Sequence, residues 1–173
     1  MSGKYTNVPY GYEPPPATRK GTLIFYDSFE HVTDEQLERA AATADTRSFE
    51  QLVLYPLHES TVKRMSRDAV QAYYKREDRL HDWRRDHPES RIRVESLEGK
   101  RKKYTPIDTA LRHITAEYKA PHFLYLTVEM ANQFASFDSF KDWIKEVRLI
   151  IDGDPVNLHP KLEQNTHRWE WAE

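Results

Sequence analysis

The stretch Thr22–Ala44 constrains this chain more than any other. It reads as an apolar run, Leu23–Tyr26, that stops at Asp27-Ser28 and is followed by a helical pattern with Leu37, Ala40, Ala41 and Ala44 on one face. Thr33 precedes that pattern and Gln36 lies three residues later, the spacing of a capping box. A buried strand, a short loop and a helix whose N-terminus faces back over the strand end are therefore expected. In an open α/β sheet such a junction is where phosphate-bearing ligands bind, because free backbone N–H groups and the helix dipole converge there.

The rest of the chain repeats the alternation. Gln51–Tyr55 is a second apolar run closed by Pro56, and Ser66 stands where it can cap a helix carrying Val70, Tyr73, Leu80 and Trp83. Arg91–Ser96 alternates polar and apolar, as an edge strand with one wet face does. Glu98–Lys103 reads as a charged loop. Thr105-Pro106-Ile107-Asp108 is a helix start, with Thr105 as N-cap and Ile107, Ala110, Leu111, Ile114 and Tyr118 as the buried stripe. His122–Thr127 is a dense apolar strand. From Asp138 or Ser139 a further helix, with Phe140, Trp143, Ile144 and Val147 inward, is expected to run towards Ile151 before a turn at Asp152–Pro155.

Strands alternating with helices imply a parallel sheet with right-handed crossovers. The expectation is a doubly wound, Rossmann-like α/β domain of four to five strands over residues 22–151. An extended Pro- and Tyr-rich arm (1–21) would precede it and a C-terminal extension (152–173) would follow. A length of 173 residues suits one such domain. The net charge of −2 argues against a general nucleic-acid binder, and the absence of cysteine excludes disulfides, thiolate metal sites and cysteine nucleophiles. No apolar run approaches membrane-spanning length and no secretory or transit signal is evident, so an intracellular protein is expected, cytoplasmic or organellar, the mitochondrial matrix included.

The order of these segments resembles the nicotinamide/nicotinate mononucleotide adenylyltransferase family of the nucleotidyltransferase α/β superfamily, its eukaryotic type in particular. There the first strand is followed by Gly-Ser-Phe-Asn-Pro-x-Thr-x-x-His-Leu, and Asp27–Leu37 falls on that pattern without a gap. Pro56 after the second strand, then Lys63-Arg64 and the helix through Arg79, follow the family's layout. Tyr104–Leu111 is similar to its Tyr-Thr-x-Asp-Thr-Leu helix start, and His122–Thr127 followed by Trp143 is similar to its Gly-x-Asp strand end and downstream Trp. The resemblance spans residues 22–150 and implies a nucleotide site built from Ser28, Phe29, His31, Thr33, Gln36, Lys63, Arg64 and Glu129.

The departures fall on the chemistry. Adenylyl transfer is a direct displacement at the α-phosphate, so catalysis consists of positioning and charge stabilisation. The family's histidine aligns with Gln36, which donates hydrogen bonds but carries no positive charge. Its phosphate-loop glycine aligns with Asp27, and Glu30 adds a second carboxylate. Its Gly-x-Asp has become Thr127-Val128-Glu129, and its Ser-Ser-Thr-x-x-Arg clamp finds no counterpart in the sequence. His31 stands one residue out of place. Loss of one transition-state donor costs about 10²–10³ in rate; here several are lost together while carboxylates are gained.

The expectation is thus a vestigial nucleotide site with no catalytic residue, on a pseudoenzyme that serves as a structural or adaptor subunit of a larger protein assembly. Tyr5, Tyr10, Tyr12, Trp169 and Trp171 are its candidate partner-binding residues, the two tryptophans forming either a flap on the domain itself or an anchor for another chain. Two alternatives stay open: a working adenylyltransferase using ATP and Mg²⁺, or a regulatory domain that binds nucleotide without turnover. Other readings have less in their favour. Gln36 is accounted for by the capping box, and Lys63-Arg64 marks either a phosphate site or a solvated helix start. Lys100–Lys103 reads as a wet loop rather than a nucleic-acid contact. The eight histidines show no metal-ligand spacing, and Ser28 and Ser60 lack the Gly-x-Ser-x-Gly elbow. No cofactor, metal, nucleic acid or membrane insertion is expected.

Overall fold

A computed structural model describes residues 18–173; the arm tyrosines Tyr5, Tyr10 and Tyr12 lie outside them. Strand β1 (Thr22–Asp27) is buried along its whole length because it is central and covered on both faces. It pairs in parallel with β2 (Gln51–Pro56) on one side and with β4 (His122–Thr127) on the other. Gly21 leads into it with φ +83°, in a spot where an added Cβ would stand 2.5 Å from the Pro121 carbonyl. The period of two then sends Leu23 and Phe25 to one core and Ile24 and Tyr26 to the other.

The first core is roofed by α1 (Asp34–Thr46) and α3 (Tyr73–Arg85), through Leu37, Ala40, Leu80 and Trp83. The second is roofed by α5 (Ile107–Glu117), α6 (Val128–Ala135) and the short α7 (Phe140–Trp143). Three-residue β3 (Ile92–Val94) lies at one edge, β5 (Arg148–Asp152) follows β4, and β6 (Trp169–Trp171) lies at the other edge. The order is β3-β2-β1-β4-β5-β6, all parallel, so the sheet is doubly wound and its direction of winding reverses between β1 and β4. Two single-turn helices, α2 (Glu59–Val62) and α4 (Leu97–Arg101), and α8 (Pro160–Glu163) complete the elements.

The sheet has six strands, where four to five were expected. The extra pairing lies past Asp152, in the stretch expected to be a C-terminal extension. Trp169 is only 9% exposed, and its indole N–H donates to the Leu162 carbonyl at 2.7 Å. Arg168 fastens the approach by donating to the carbonyls of Ile144 (2.8 Å) and Val147 (3.2 Å). Trp169 is therefore committed to this chain's own core, while Trp171 stays 36% exposed. Trp169→Ala is expected to destabilise by about 3–5 kcal/mol, read from urea unfolding, since it opens a cavity and orphans a carbonyl.

Other expectations are corrected by local chemistry. Ser66 caps no helix: its hydroxyl accepts from Asp68 N (3.0 Å) in a turn, and the segment splits into α2, capped by His58, and α3. The supposed charged loop 98–103 contains α4, because Glu98 is drawn inside. Helix α5 starts one residue after Pro106, with Thr105 turned inward and its N–H donated to Thr61 Oγ1 at 3.0 Å. The helix expected from Asp138 or Ser139 towards Ile151 ends after one turn, and Leu149-Ile150-Ile151 belong to β5 instead. A short apolar run has no period that separates a buried strand from a buried helix. Helix α6, unexpected from the sequence, leaves β4 directly with Thr127 as its N-cap (Met130 N to Thr127 Oγ1, 3.2 Å).

One buried group stands out in the core below the junction. The Tyr26 ring stacks on Tyr55 at 5.2 Å between centroids, yet its hydroxyl is fully buried and has no hydrogen-bond partner among the described residues. Tyr26→Phe removes that unpaired group and is expected to raise stability by up to about 1 kcal/mol in thermal or urea unfolding.

Candidate functional site

Helix N-termini and strand ends converge where the winding reverses, and a cavity of about 350 Å³ opens there between the β1–α1 loop, the connection after β2 and the start of α6. Leu57, Val62, Met65, Val70 and Met130 supply apolar walls. The polar lining is Ser28, His31, Gln36, Ser66, Thr127 and Gln133 together with four carboxylates, Asp27, Glu30, Asp68 and Glu129; among the described residues neither lysine nor arginine lines it.

The loop that forms its floor consumes its own donors. Asp27 Oδ1 accepts the Phe29 N–H at 2.9 Å and the Ser28 hydroxyl at 3.4 Å, and Ser28 Oγ accepts the Glu30 N–H at 3.2 Å. Phe29 takes φ 64°, a left-handed conformation that costs a non-glycine residue about 1–2 kcal/mol. The Asp27 bond and the packing of its ring on Phe25 (5.0 Å) offset that cost. At the first turn of α1 the capping box is complete: Gln36 N donates to Thr33 Oγ1 (3.2 Å), and Thr33 N donates to Gln36 Oε1 (2.9 Å). The N–H groups of Phe29, Glu30, Thr33 and Gln36, which in a phosphate loop would face an anion, are all taken by neighbouring side chains.

Two neighbouring arginines are likewise occupied. Arg76, 3% exposed, donates through Nη1 to the carbonyls of Ser28 and Leu57 (both 2.6 Å) and through Nε to that of Gln71 (2.9 Å). Arg79 pairs with Asp34 at 2.8 Å. Glu30 Oε1 accepts the Gln71 N–H at 2.8 Å and so ties the connection after β2 across the crevice. At the next strand end, Asp152 accepts from the Tyr125 hydroxyl (2.7 Å) and from both Nε and Nη2 of Arg39 (3.1 and 3.3 Å), which holds the Arg39 guanidinium above its ordinary pKa.

Of the residues singled out from sequence, Ser28, His31, Gln36 and Glu129 meet in this cavity. Thr33 caps the helix beside it and Phe29 is buried beneath. Lys63 and Arg64 do not line it: Lys63 is exposed at the end of α2, and Arg64 lies over the Tyr104 ring at 4.1 Å. Sequence reasoning missed Asp68 and Met130 as lining residues and Arg76 as the loop's anchor. An arginine between polar helix neighbours carries no signal that it points inward. Among the described residues no group of three histidine or carboxylate side chains converges to hold a metal ion. No helix among them is long and apolar enough to cross a membrane.

Burial pushes the Asp27 carboxyl up to about 6 and Glu129 adds to this, against the opposing hydrogen bonds from Phe29 and Ser28. An acid whose pKa is higher in the folded state binds the extra proton when folded, so stability falls as pH rises between the two values. The Asp27 contribution is therefore fully retained below the ordinary carboxylate range and lost above about 6. Asp27→Asn, whose amide oxygen still accepts from Phe29, is expected to flatten this part of the stability curve, seen as a smaller loss of Tm across that window.

Among the described residues the crevice is thus a partly apolar recess lined by four carboxylates and by neither lysine nor arginine, with the N–H groups of Phe29, Glu30, Thr33 and Gln36 already bonded. Neither a scan against models of known protein families nor a search of curated proteins finds a match for this chain.

Proposed function

We propose that this chain is a non-catalytic, nucleotidyltransferase-like domain that serves as a structural or adaptor subunit of a protein assembly. One observation carries the reading. At the junction where a nucleotidyltransferase would cradle a triphosphate, the N–H groups of Phe29, Glu30, Thr33 and Gln36 are bonded to Asp27, Ser28, Gln36 and Thr33, and among the described residues the recess is lined by four carboxylates and by neither lysine nor arginine. A triphosphate brought there would meet like charge in a partly desolvated recess and would have to displace bonds already made. The stable, doubly wound scaffold then remains as a surface to be held by others, with the Pro- and Tyr-rich arm sequence and the exposed Trp171 as candidate contacts.

Titration calorimetry with ATP, Mg²⁺ and nicotinamide mononucleotide is expected to give no saturable heat, and a coupled assay is expected to give no dinucleotide. Micromolar binding with turnover that Gln36→Ala abolishes would overturn the proposal. For the assembly itself, co-purification of the native protein identifies the partner. Deletion of residues 1–17, which spares the bonds of Arg19 to Asp45 and Phe49 and of the Lys20 N–H to Ser48, is expected to release the chain from it with little change in Tm.

A further inference from the structure

The two basic segments of the sequence, Lys63-Arg64 and Lys100–Lys103, lie far apart in the chain and meet in the fold. Thr61 Oγ1 accepts the Thr105 N–H (3.0 Å) and donates to Glu98 (2.7 Å), which draws the end of α2 against the end of α4. Arg64 lies over Tyr104, the residue that follows the second segment. Arg101 turns inward, donating to Thr105 Oγ1 at 2.9 Å. Lys63, Arg64, Lys100, Lys102 and Lys103 are left exposed, and none of the five forms an ion pair among the described residues. In a chain of net charge −2 this is a local concentration of positive charge.

Beside it opens a groove of about 380 Å³. Arg64 and Tyr104 form one end; Met65, Pro106, Ile107 and Phe137 supply apolar walls; Asp138 and Ser139 stand at the other end. Asp108, also on the groove, is occupied by Arg112 at 3.1 Å and by the Trp143 indole N–H at 2.8 Å. An apolar recess bordered by charge is the anatomy of a protein–protein contact, in which an apolar anchor is buried and charged groups orient it. A nucleic-acid backbone would use the lysines and leave the groove empty. An extended one would also run towards the carboxylates of the neighbouring crevice, whose wall shares Met65 with this groove.

We propose that this surface docks an acidic segment of a partner protein, with carboxylates on Lys63, Lys100, Lys102 and Lys103 and an apolar side chain of the same segment in the groove beside Arg64. The proposal rests on the adaptor reading and names the chemistry of its partner.

The test uses the full chain and fluorescent probes read by anisotropy: a Glu-rich peptide of about twelve residues with one central leucine, the same peptide with serine in place of leucine, and a single-stranded oligonucleotide of similar charge. The leucine peptide is expected to bind best, by about tenfold over the serine peptide, because the buried side chain contributes about 1.5–3 kcal/mol. Its affinity is expected to fall as salt rises from about 0.05 to about 0.5 M. The combined variant Lys63→Glu, Lys102→Glu, Lys103→Glu is expected to weaken both peptides by about tenfold or more, and Met65→Ser to weaken only the leucine peptide. All of these side chains are exposed or half-buried, and circular dichroism checks that each variant is folded.

Equal affinity for the two peptides, indifference to the charge reversals, or tighter binding of the oligonucleotide would overturn the proposal, the last by assigning the patch to nucleic acid. Its failure is distinguishable from failure of the parent reading. Nucleotide turnover at the crevice would defeat the adaptor reading whatever the peptides do, and silent peptides would leave the calorimetry untouched.

Discussion

Arg76→Met is expected to lower the free energy of unfolding by about 3–5 kcal/mol. The methionine keeps the stem's volume but removes the fork that serves three carbonyls: Ser28, Leu57 and Gln71. The Leu57 carbonyl is left unpaired where water is excluded, at about 1–3 kcal/mol, and those of Ser28 and Gln71 lose a partner in partly accessible positions. All three belong to the loops that frame the crevice, so those loops are expected to lose hydrogen-exchange protection beyond what the drop in global stability explains. Arg76→Lys is expected to recover only part of the loss, because one ammonium cannot reproduce the directions of a planar fork. Burial pushes this guanidinium below its ordinary pKa, and Glu59 at 3.5 Å is the carboxylate that opposes the shift most. A loss below about 1 kcal/mol in urea titration would mean that water takes over the three carbonyls, and the anchoring role would be withdrawn.

Glu98→Ala is expected to cost a similar amount, about 3–5 kcal/mol. The carboxylate is 0% exposed and accepts from the Tyr55 hydroxyl (2.7 Å), the Thr61 hydroxyl (2.7 Å) and the His58 N–H (2.8 Å). It therefore holds β2, α2 and α4 to one another, and alanine would leave three donors facing a void. Glu98→Gln retains one carbonyl oxygen and the shape, and is expected to cost about 1–2 kcal/mol, since its amide group now points donors at donors. Burial raises the Glu98 carboxyl above the ordinary range although all three partners act to lower it. The sign is that of Asp27: the folded form holds its proton more tightly, so stability falls as pH climbs from the ordinary carboxylate pKa to the folded one. Glu98→Gln is expected to remove that share of the slope. A variant whose unfolding curve keeps the wild-type pH dependence would show that Glu98 stays ionised throughout.

Both residues sit in segments whose composition points to solvent. Glu98 opens a run of six residues that otherwise holds a glycine and four cations, and Arg76 stands between lysine, glutamate and aspartate. Charge in a sequence reports an exposed face on average, and only the packed chain reveals which charge is folded inward with partners supplied from far away. Here the partners come from β2, from α2 and from the β1–α1 loop, more than thirty positions off in several cases. The same holds for the basic patch: Lys63-Arg64 reads as a phosphate site or a solvated helix start and Lys100–Lys103 as a wet loop, and the juxtaposition exists only because Thr61 and Arg64 reach Thr105 and Tyr104.

Strands β1, β2 and β4 were legible because both faces of a central parallel strand are covered, which leaves unbroken apolar runs. The capping box of α1 was legible because it is local, closed within four residues by Thr33 and Gln36. From those two facts the alternation, the parallel sheet and the position of the crevice follow. Strand β5 was not legible, since Leu149-Ile150-Ile151 satisfies a helix or a strand equally until β4 and β6 flank it. Nor was β6, whose three residues become a strand only by adding to an edge that the sheet already presents. Local sequence thus determined where the chain turns and which runs are buried. Tertiary structure alone decided which charges are enclosed and which are presented, because that depends on contacts between segments with no short-range relation to one another.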